Sequence, residues 1–278
     1  MASVSSFQSG PLETTTRNRS HVGKTLLTLR GGEDDIKTQQ EETLIKFYTL
    51  KGGTCPYAAR TWITLLELGI PFETIEISKE DKDNWYLDIN PRGKVPALVN
   101  TKDGSVVYES AICDEYLSDL ARDLGGGPSL MPDNPSERAS LRLLNDHVDN
   151  SLSPAQFTLL MNKDEEKDKE LIEKLEKALG FLEESLDAHG GSYLMGKDFS
   201  LADVHVLPFF LRMTITLDHY KGYKLSKENF PNLLRWFDIC SQKESVKPSA
   251  KSREEIIEVY DRFIKADYAF GGLNKNKK

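Results

Sequence analysis

The chain has 278 residues, 38% hydrophobic and 9% aromatic, which suits one large or two modest soluble cores and excludes a mini-protein or a fibre. Lys and Arg total 36 against 44 Asp and Glu, a formal charge of −8, which disfavours nucleic acid and acidic lipid as partners. No apolar run reaches the roughly 18 to 20 residues needed to span a bilayer; the greasiest stretch, Val204 to Leu211, is interrupted by His205 and Pro208.

Residues 1–32 stand apart. They hold ten Ser or Thr and four Lys or Arg against one acid, Glu13, a segment charge of +3. Two readings fit this composition, an organelle-import peptide or a disordered tail, and residues 1–42 are taken as an extension preceding the folded chain. A β-type run follows at Leu44 to Tyr48, then a turn at Lys51-Gly52-Gly53, and Thr54-Cys55-Pro56 opens a predicted helix to about Leu68. Gly69-Ile70-Pro71 ends it, and the alternation from Phe72 to Ile77 predicts a second strand, parallel to the first. A polar segment with Trp85 leads to strands at Val95 to Val99 and Ser105 to Tyr108 and a helix from about Ser110 to Leu120. The order βαβ then ββα predicts a small mixed sheet with helices on its faces, an α/β domain over residues 43–124.

Gly125 to Pro135 reads as a linker. The remainder, residues 136–270, is predicted all-α, with apolar residues at helical spacing in Leu141-Leu144-Val148 and from Ile172 to Leu186. Ser200 to Asp203 is a capping box before an apolar helix. Further helices are expected after Pro231 and over Ile256 to Ile264, before a flexible tail at 271–278.

Cys55, Cys113 and Cys240 form no CxxC pair, so neither a disulfide framework nor a zinc site is encoded, and a reducing compartment fits. Cys113 and Cys240 fall inside apolar helical stretches, as inert packing cysteines do. Cys55 is different: just before Pro56 at a helix start it faces unpaired N–H groups and the positive dipole end, which favour thiolate. Val95-Pro96, with a cis peptide, would expose main-chain groups to an extended peptide beside Cys55. Glu109-Ser110 offers a carboxylate for an ammonium, and a hydroxyl and helix N-terminus for a carboxylate. The five histidines show no HExxH spacing, and no metal is expected.

Thr54-Cys55-Pro56-Tyr57-Ala58, Lys94-Val95-Pro96 and Tyr108-Glu109-Ser110 resemble the cysteine-type glutathione transferases of the omega and lambda classes. The resemblance runs from about Leu44 to Leu273 and takes in Asn90-Pro91, Met131-Pro132-Asp133 and Asp198 to Asp203. It implies a thioredoxin-like amino domain joined to an all-helical carboxyl domain, with glutathione as co-substrate. It further implies that Cys55 forms the mixed disulfide, Val95 pairs with the cysteinyl part before the cis-proline Pro96, and Glu109 and Ser110 hold the γ-glutamyl end. Lys82, with Lys94 as the weaker alternative, is implied at the glycyl carboxylate. Phe209 and Arg212 are the expected acceptor-pocket residues, although Ala59, Arg92 and Leu207-Pro208-Phe209 depart from the family pattern.

The chemistry so implied is monothiol exchange on small-molecule or protein mixed disulfides, since Ala58 stands where a dithiol enzyme carries a resolving cysteine. Dehydroascorbate reduction would accompany it. The competing reading is a non-catalytic ligand-binding or association module of the same architecture. A cytoplasmic location is expected, with organelle import through residues 1–32 as the alternative, and homodimerisation through the amino-domain helices fits the family.

Overall fold

The computed structural model describes Thr25–Leu26, Gln39–Gln40, residues 42–125, residues 128–266, Tyr268–Ala269 and Gly272–Leu273. The chain divides into two compact units, Met1–Glu42 and Thr43–Lys278. In the first, β1 (Thr25–Leu26) pairs antiparallel with β2 (Gln39–Gln40). The import-or-tail alternative for residues 1–32 otherwise lies outside the described residues, as does the expected tail beyond the short pairing of β7 (Tyr268–Ala269) with β8 (Gly272–Leu273).

The second unit starts with a four-stranded sheet in the order β4-β3-β5-β6. β3 (Ile45–Leu50) lies parallel to β4 (Phe72–Ile77) and antiparallel to β5 (Ala97–Asn100), which pairs antiparallel with β6 (Val106–Tyr108). β3 is central, with Ile45 and Phe47 fully buried. β4 is an edge strand, and its exposed Glu73 and Glu76 protect that edge from further pairing. α1 (Pro56–Leu68) follows β3 and buries Ala58, Ile63, Leu65 and Leu68. It stops where Gly69 takes the left-handed conformation at φ 67° that a side chain would resist.

The polar segment after β4 contains a short helix, α2 (Lys79–Lys82), and a 3-10 turn at Trp85–Asp88. The Ser78–Asp81 capping box explains that helix and was legible as Ser-x-x-Asp. α3 (Ser110–Asp123) closes this half. The 125–135 segment is more than a spacer, because Leu130 and Met131 are buried and the Leu130 carbonyl accepts the Leu201 N–H at 2.9 Å.

The helical half comprises α4 (Pro135–His147), α5 (Ser153–Met161), α6 (Asp168–His189), α7 (Leu201–Lys221), α8 (Pro231–Ser241) and α9 (Arg253–Lys265). Sequence periodicity does not mark α5, nor the wide π-type turn Val148–Leu152 that joins it to α4. α7 is buried almost all round over its first three turns, so it forms the centre of this half and also packs on α1. Asp203 anchors its start, accepting hydrogen bonds from Leu194 N, Ser200 N and Ser200 Oγ at 2.9 Å each and from Trp236 Nε1 at 2.8 Å. Among the described residues no helix is long and apolar enough to cross a membrane.

Candidate active site

Cys55 is the N-cap residue of α1, with extended dihedrals and Pro56 at the first helical position. Proline suits that position because its missing N–H would have no partner there. Cys55 is part-buried, and its Sγ lies 3.9 Å from the Val95 carbonyl. The other two thiols are fully buried. Burial raises both, and the Cys113 Sγ–H points at the Val107 carbonyl, 3.5 Å away, so neither thiol competes for chemistry.

The Val95–Pro96 peptide is cis. Val95 stands just beyond the last β3–β5 pair, Tyr48 with Ala97, so its main chain is outside that ladder. The approach to it is fixed from behind, because the Lys94 carbonyl accepts the Tyr86 hydroxyl at 2.7 Å and Asn90 Nδ2 at 2.6 Å. The Lys94 side chain is exposed. Lys82 ends α2, half-buried, and forms no ion pair among the described residues.

Glu109 joins β6 to α3 at φ 70° and ψ 120°, a left-handed conformation costly for a side-chain-bearing residue. It brings Ser110 to the first position of α3, where the first N–H groups have no intrahelical acceptor. The Glu109 carboxylate meets Arg92 at 2.6 Å, and the Arg92 guanidinium lies over the Tyr108 ring at 5.6 Å. Arg92 thus occupies the Glu109 side of the site.

Arg60 was not singled out from the sequence, yet it ties the site together. Only 1% exposed, it donates from Nε to the His205 carbonyl at 2.8 Å, from Nη1 to Ser110 Oγ at 3.3 Å and from Nη2 to Asp149 Oδ1 at 3.0 Å. Since Ser110 Oγ accepts from Arg60, its own proton is free for an incoming acceptor. His205 Nε2 lies 3.0 Å from the same Asp149 oxygen, without hydrogen-bond alignment. Burial and the neighbouring Arg60 push His205 down to about 4. Burial works to raise Asp149, but His205 and Arg60 outweigh it and hold the carboxyl at about 2. The available signal for Arg60 was a charge on the apolar face of an amphipathic helix. Asp149, 89 positions away, carried none.

Phe209, expected in the acceptor pocket, is 6% exposed beneath Arg60, its ring centroid 4.4 Å from the guanidinium carbon and 4.9 Å from the Tyr57 ring. Tyr57 covers it and is the exposed member of this pair. Arg212, the other residue expected there, is 2% exposed and donates to the Pro208 and Thr54 carbonyls at 2.8 and 3.0 Å. The bond to Thr54 braces the loop that carries Cys55. Tyr48 belongs to an aromatic cluster with Trp85 and Tyr86.

Behind the site, Asp114 is buried with Oδ1 unpartnered. Burial raises it to about 7, offset in part by the Thr61 hydroxyl, the Arg60 charge and the Thr64 hydroxyl. A raised carboxyl means the folded state holds the proton longer than the unfolded chain, so this residue's share of stability falls as pH climbs from about 4 to 7. Asp114→Asn is therefore expected to gain about 2 kcal/mol relative to wild type between pH 5 and pH 8, read from urea unfolding at the two values. An equal difference at both values would refute the burial argument.

A groove of about 820 Å³ between α5 and α6, lined by residues such as His147, Leu171 and Phe181, includes none of the residues around Cys55. Among the described residues no group of three or more His, Cys, Asp or Glu could hold a metal ion.

The N-terminal domain profile of glutathione S-transferases matches residues 54–120, and the C-terminal domain profile matches residues 136–244. Glutathione S-transferase omega-1 of Sus scrofa is 32% identical over 66% of this chain and 75% of its own length. A probable glutathione S-transferase DHAR1, cytosolic, of Oryza sativa subsp. japonica is 30% identical over 74% of this chain and 88% of its own. The crystal structure of glutathione transferase Omega 3C from Trametes versicolor superposes with a TM-score of 0.71, at 31% identity, over 81% of this chain and 92% of that one.

Proposed function

The chain belongs to the glutathione transferase family, and on that premise we propose that it is a monothiol, glutathione-dependent thiol transferase with Cys55 as its nucleophile. The observation that carries this reading is the placement of Cys55 at the start of α1, its sulfur beside the Val95 main chain. In the first step the Cys55 thiolate attacks the glutathionyl sulfur of a mixed disulfide. The old S–S bond breaks, the acceptor leaves as its thiolate and takes a proton, and Cys55 carries glutathione as a disulfide. In the second step a glutathione thiolate attacks that glutathionyl sulfur, releasing glutathione disulfide and restoring the Cys55 thiolate. Ala58 leaves no internal resolving thiol one turn along α1, so an external glutathione supplies the second pair of electrons. Dehydroascorbate reduction would differ in its first step: the Cys55 thiolate adds to a carbonyl carbon. A glutathione thiolate then attacks the Cys55 sulfur so that ascorbate leaves, and a second glutathione resolves the resulting disulfide, the two thiols furnishing two electrons and two protons. Because the cycle consumes reduced glutathione, it requires a reducing compartment such as the cytoplasm.

In this reading the Val95 main chain pairs with the cysteinyl residue, and Ser110 with the free N–H groups of α3 receives the γ-glutamyl carboxylate. Lys82 serves the glycyl carboxylate. Tyr57 and Phe209 floor the acceptor side. Intact-mass analysis after exposure to glutathione disulfide tests the reading directly: one glutathionyl group on Cys55, removed by fresh glutathione, is expected. An adduct confined to Cys113 or Cys240 would reject it. Ser110→Ala removes one donor from a ground-state contact, so KM for glutathione is expected to rise about tenfold with kcat within about twofold. An unchanged KM would remove Ser110 from the site.

A further inference from the structure

Resting on the thiol transferase reading, we propose that Arg92 binds the α-carboxylate of glutathione's γ-glutamyl residue, so that the Arg92–Glu109 ion pair receives that residue as a zwitterion. Arg92 stands at a position where the chain departs from the family pattern, and three observations carry the assignment. First, its main chain is fixed. The buried Asn90 accepts the Arg92 N–H through Oδ1 at 3.0 Å and the Gly93 N–H through its carbonyl at 2.8 Å, and it donates from Nδ2 to the Lys94 carbonyl at 2.6 Å. The same asparagine therefore sets both Arg92 and the main chain that enters Val95. Second, the side chain is held at the start of α3. Nη1 meets Glu109 Oε1 at 2.6 Å and the guanidinium carbon lies 5.6 Å from the Tyr108 ring centroid, while Nε and Nη2 have no acceptor among the described residues and the side chain is 59% exposed. Third, Arg60, the other guanidinium at this end, is buried and commits Nε, Nη1 and Nη2 to the His205 carbonyl, Ser110 and Asp149. Arg60 thus stands behind Ser110, and Arg92 is the guanidinium that a ligand can reach.

An exposed arginine–glutamate pair contributes little to stability by itself, because water screens it. Beside a helix start it gains a second use. The amino acid end of glutathione carries a carboxylate and an ammonium on one carbon, the complement of a guanidinium and a carboxylate held 2.6 Å apart. Glu109 directly precedes Ser110, so its guanidinium partner is held next to the unpaired N–H groups of α3. One oxygen of the ligand carboxylate would then accept from Ser110 and those N–H groups, and the other from Arg92 Nε or Nη2, a fork that suits a planar carboxylate. The ammonium approaches Glu109 Oε2, which Arg92 does not engage. Two cations and two anions alternate around the site, and neither protein charge has to give up its partner.

The test compares glutathione with 4-aminobutanoyl-cysteinylglycine, which lacks only the α-carboxylate, as the thiol that reduces a small mixed disulfide. Wild type is expected to prefer glutathione in kcat/KM by about 100-fold, the joint effect of the Ser110 and Arg92 contacts. In Arg92→Met, which keeps the length and loses the charge, that preference should shrink by about tenfold, the loss falling on KM for glutathione and not on KM for the analogue. Arg92→Lys, which keeps the charge without the fork, should recover part of it. Urea midpoints close to wild type are expected for both variants, since Arg92 is exposed. A preference in Arg92→Met within about twofold of wild type would overturn the assignment and leave the thiol transferase reading intact. So would a fall in its KM for glutathione, which would mean that Arg92 competes with the ligand for Glu109. Absence of turnover by wild type with glutathione would instead overturn that reading and the assignment with it.

Discussion

Replacing Cys55 by Ser is expected to lower the glutathione-dependent reduction of a small mixed disulfide by at least about a thousandfold, because exchange needs sulfur as both attacking and leaving atom. A hydroxyl at the start of α1 stands beside the same Val95 carbonyl, yet it remains protonated at neutral pH and forms no disulfide. Folding should be unaffected, since the Cys55 side chain caps no helical N–H and is only part-buried. Cys240→Ala is the control. Its thiol is fully buried and its pKa raised by burial, so turnover should stay within about twofold of wild type while stability falls. Steady-state rates and urea midpoints on the two variants separate the effects. Retained turnover in Cys55→Ser would end the assignment of the nucleophile.

The second large effect concerns stability. Asp203→Ala is expected to cost about 4 kcal/mol and to lower the melting temperature by about 10 °C, because it removes the acceptor for four hydrogen bonds inside the core. The Trp236 indole N–H and the Leu194 N–H would be left buried and unpaired, and unmet donors cost more than an average hydrogen bond contributes. Asp203→Asn should do little better, since its amide nitrogen would face the donors from Ser200 or from Trp236 and Leu194. Calorimetry that finds less than about 1 kcal/mol would show that water or a repacked neighbour satisfies these groups. α7 also carries Arg212, whose bond to the Thr54 carbonyl braces the Cys55 loop, so the variant should lose activity below its melting temperature as well.

The fold was largely legible because its signals are local. Alternation in Phe72 to Ile77 coincides with β4, the Gly69 stop coincides with the end of α1, and Ser200 with Asp203 marks the start of α7. α5 escaped because it is short and its polar residues Gln156 and Thr158 do not gather on one face, and the π-type turn before it has no residue code of its own. Leu130 and Met131 looked like linker because Gly and Pro surround them. Their burial depends on the N-terminus of α7 docking on the Leu130 carbonyl.

The site divides along the same line. Cys55, Pro96 and Ser110 were readable because each sits at the end of an element, where unpaired N–H groups or a cis-prone proline leave a mark within a few residues, whereas Glu109 was read for its carboxylate and its backbone strain was not foreseen. Arg60, Asp149 and His205 were not, because their chemistry arises only between elements. An arginine becomes a buried brace, a histidine is held neutral and an aspartate is kept ionised through contacts between residues separated by 89 and 145 positions. The sequence by itself determined where α1 and α3 begin, and so where their unpaired N–H groups lie, since backbone geometry is set by near neighbours. Tertiary structure alone decided which charges stand behind them, since desolvation and ion pairing depend on what packs against a side chain rather than on what adjoins it in the chain.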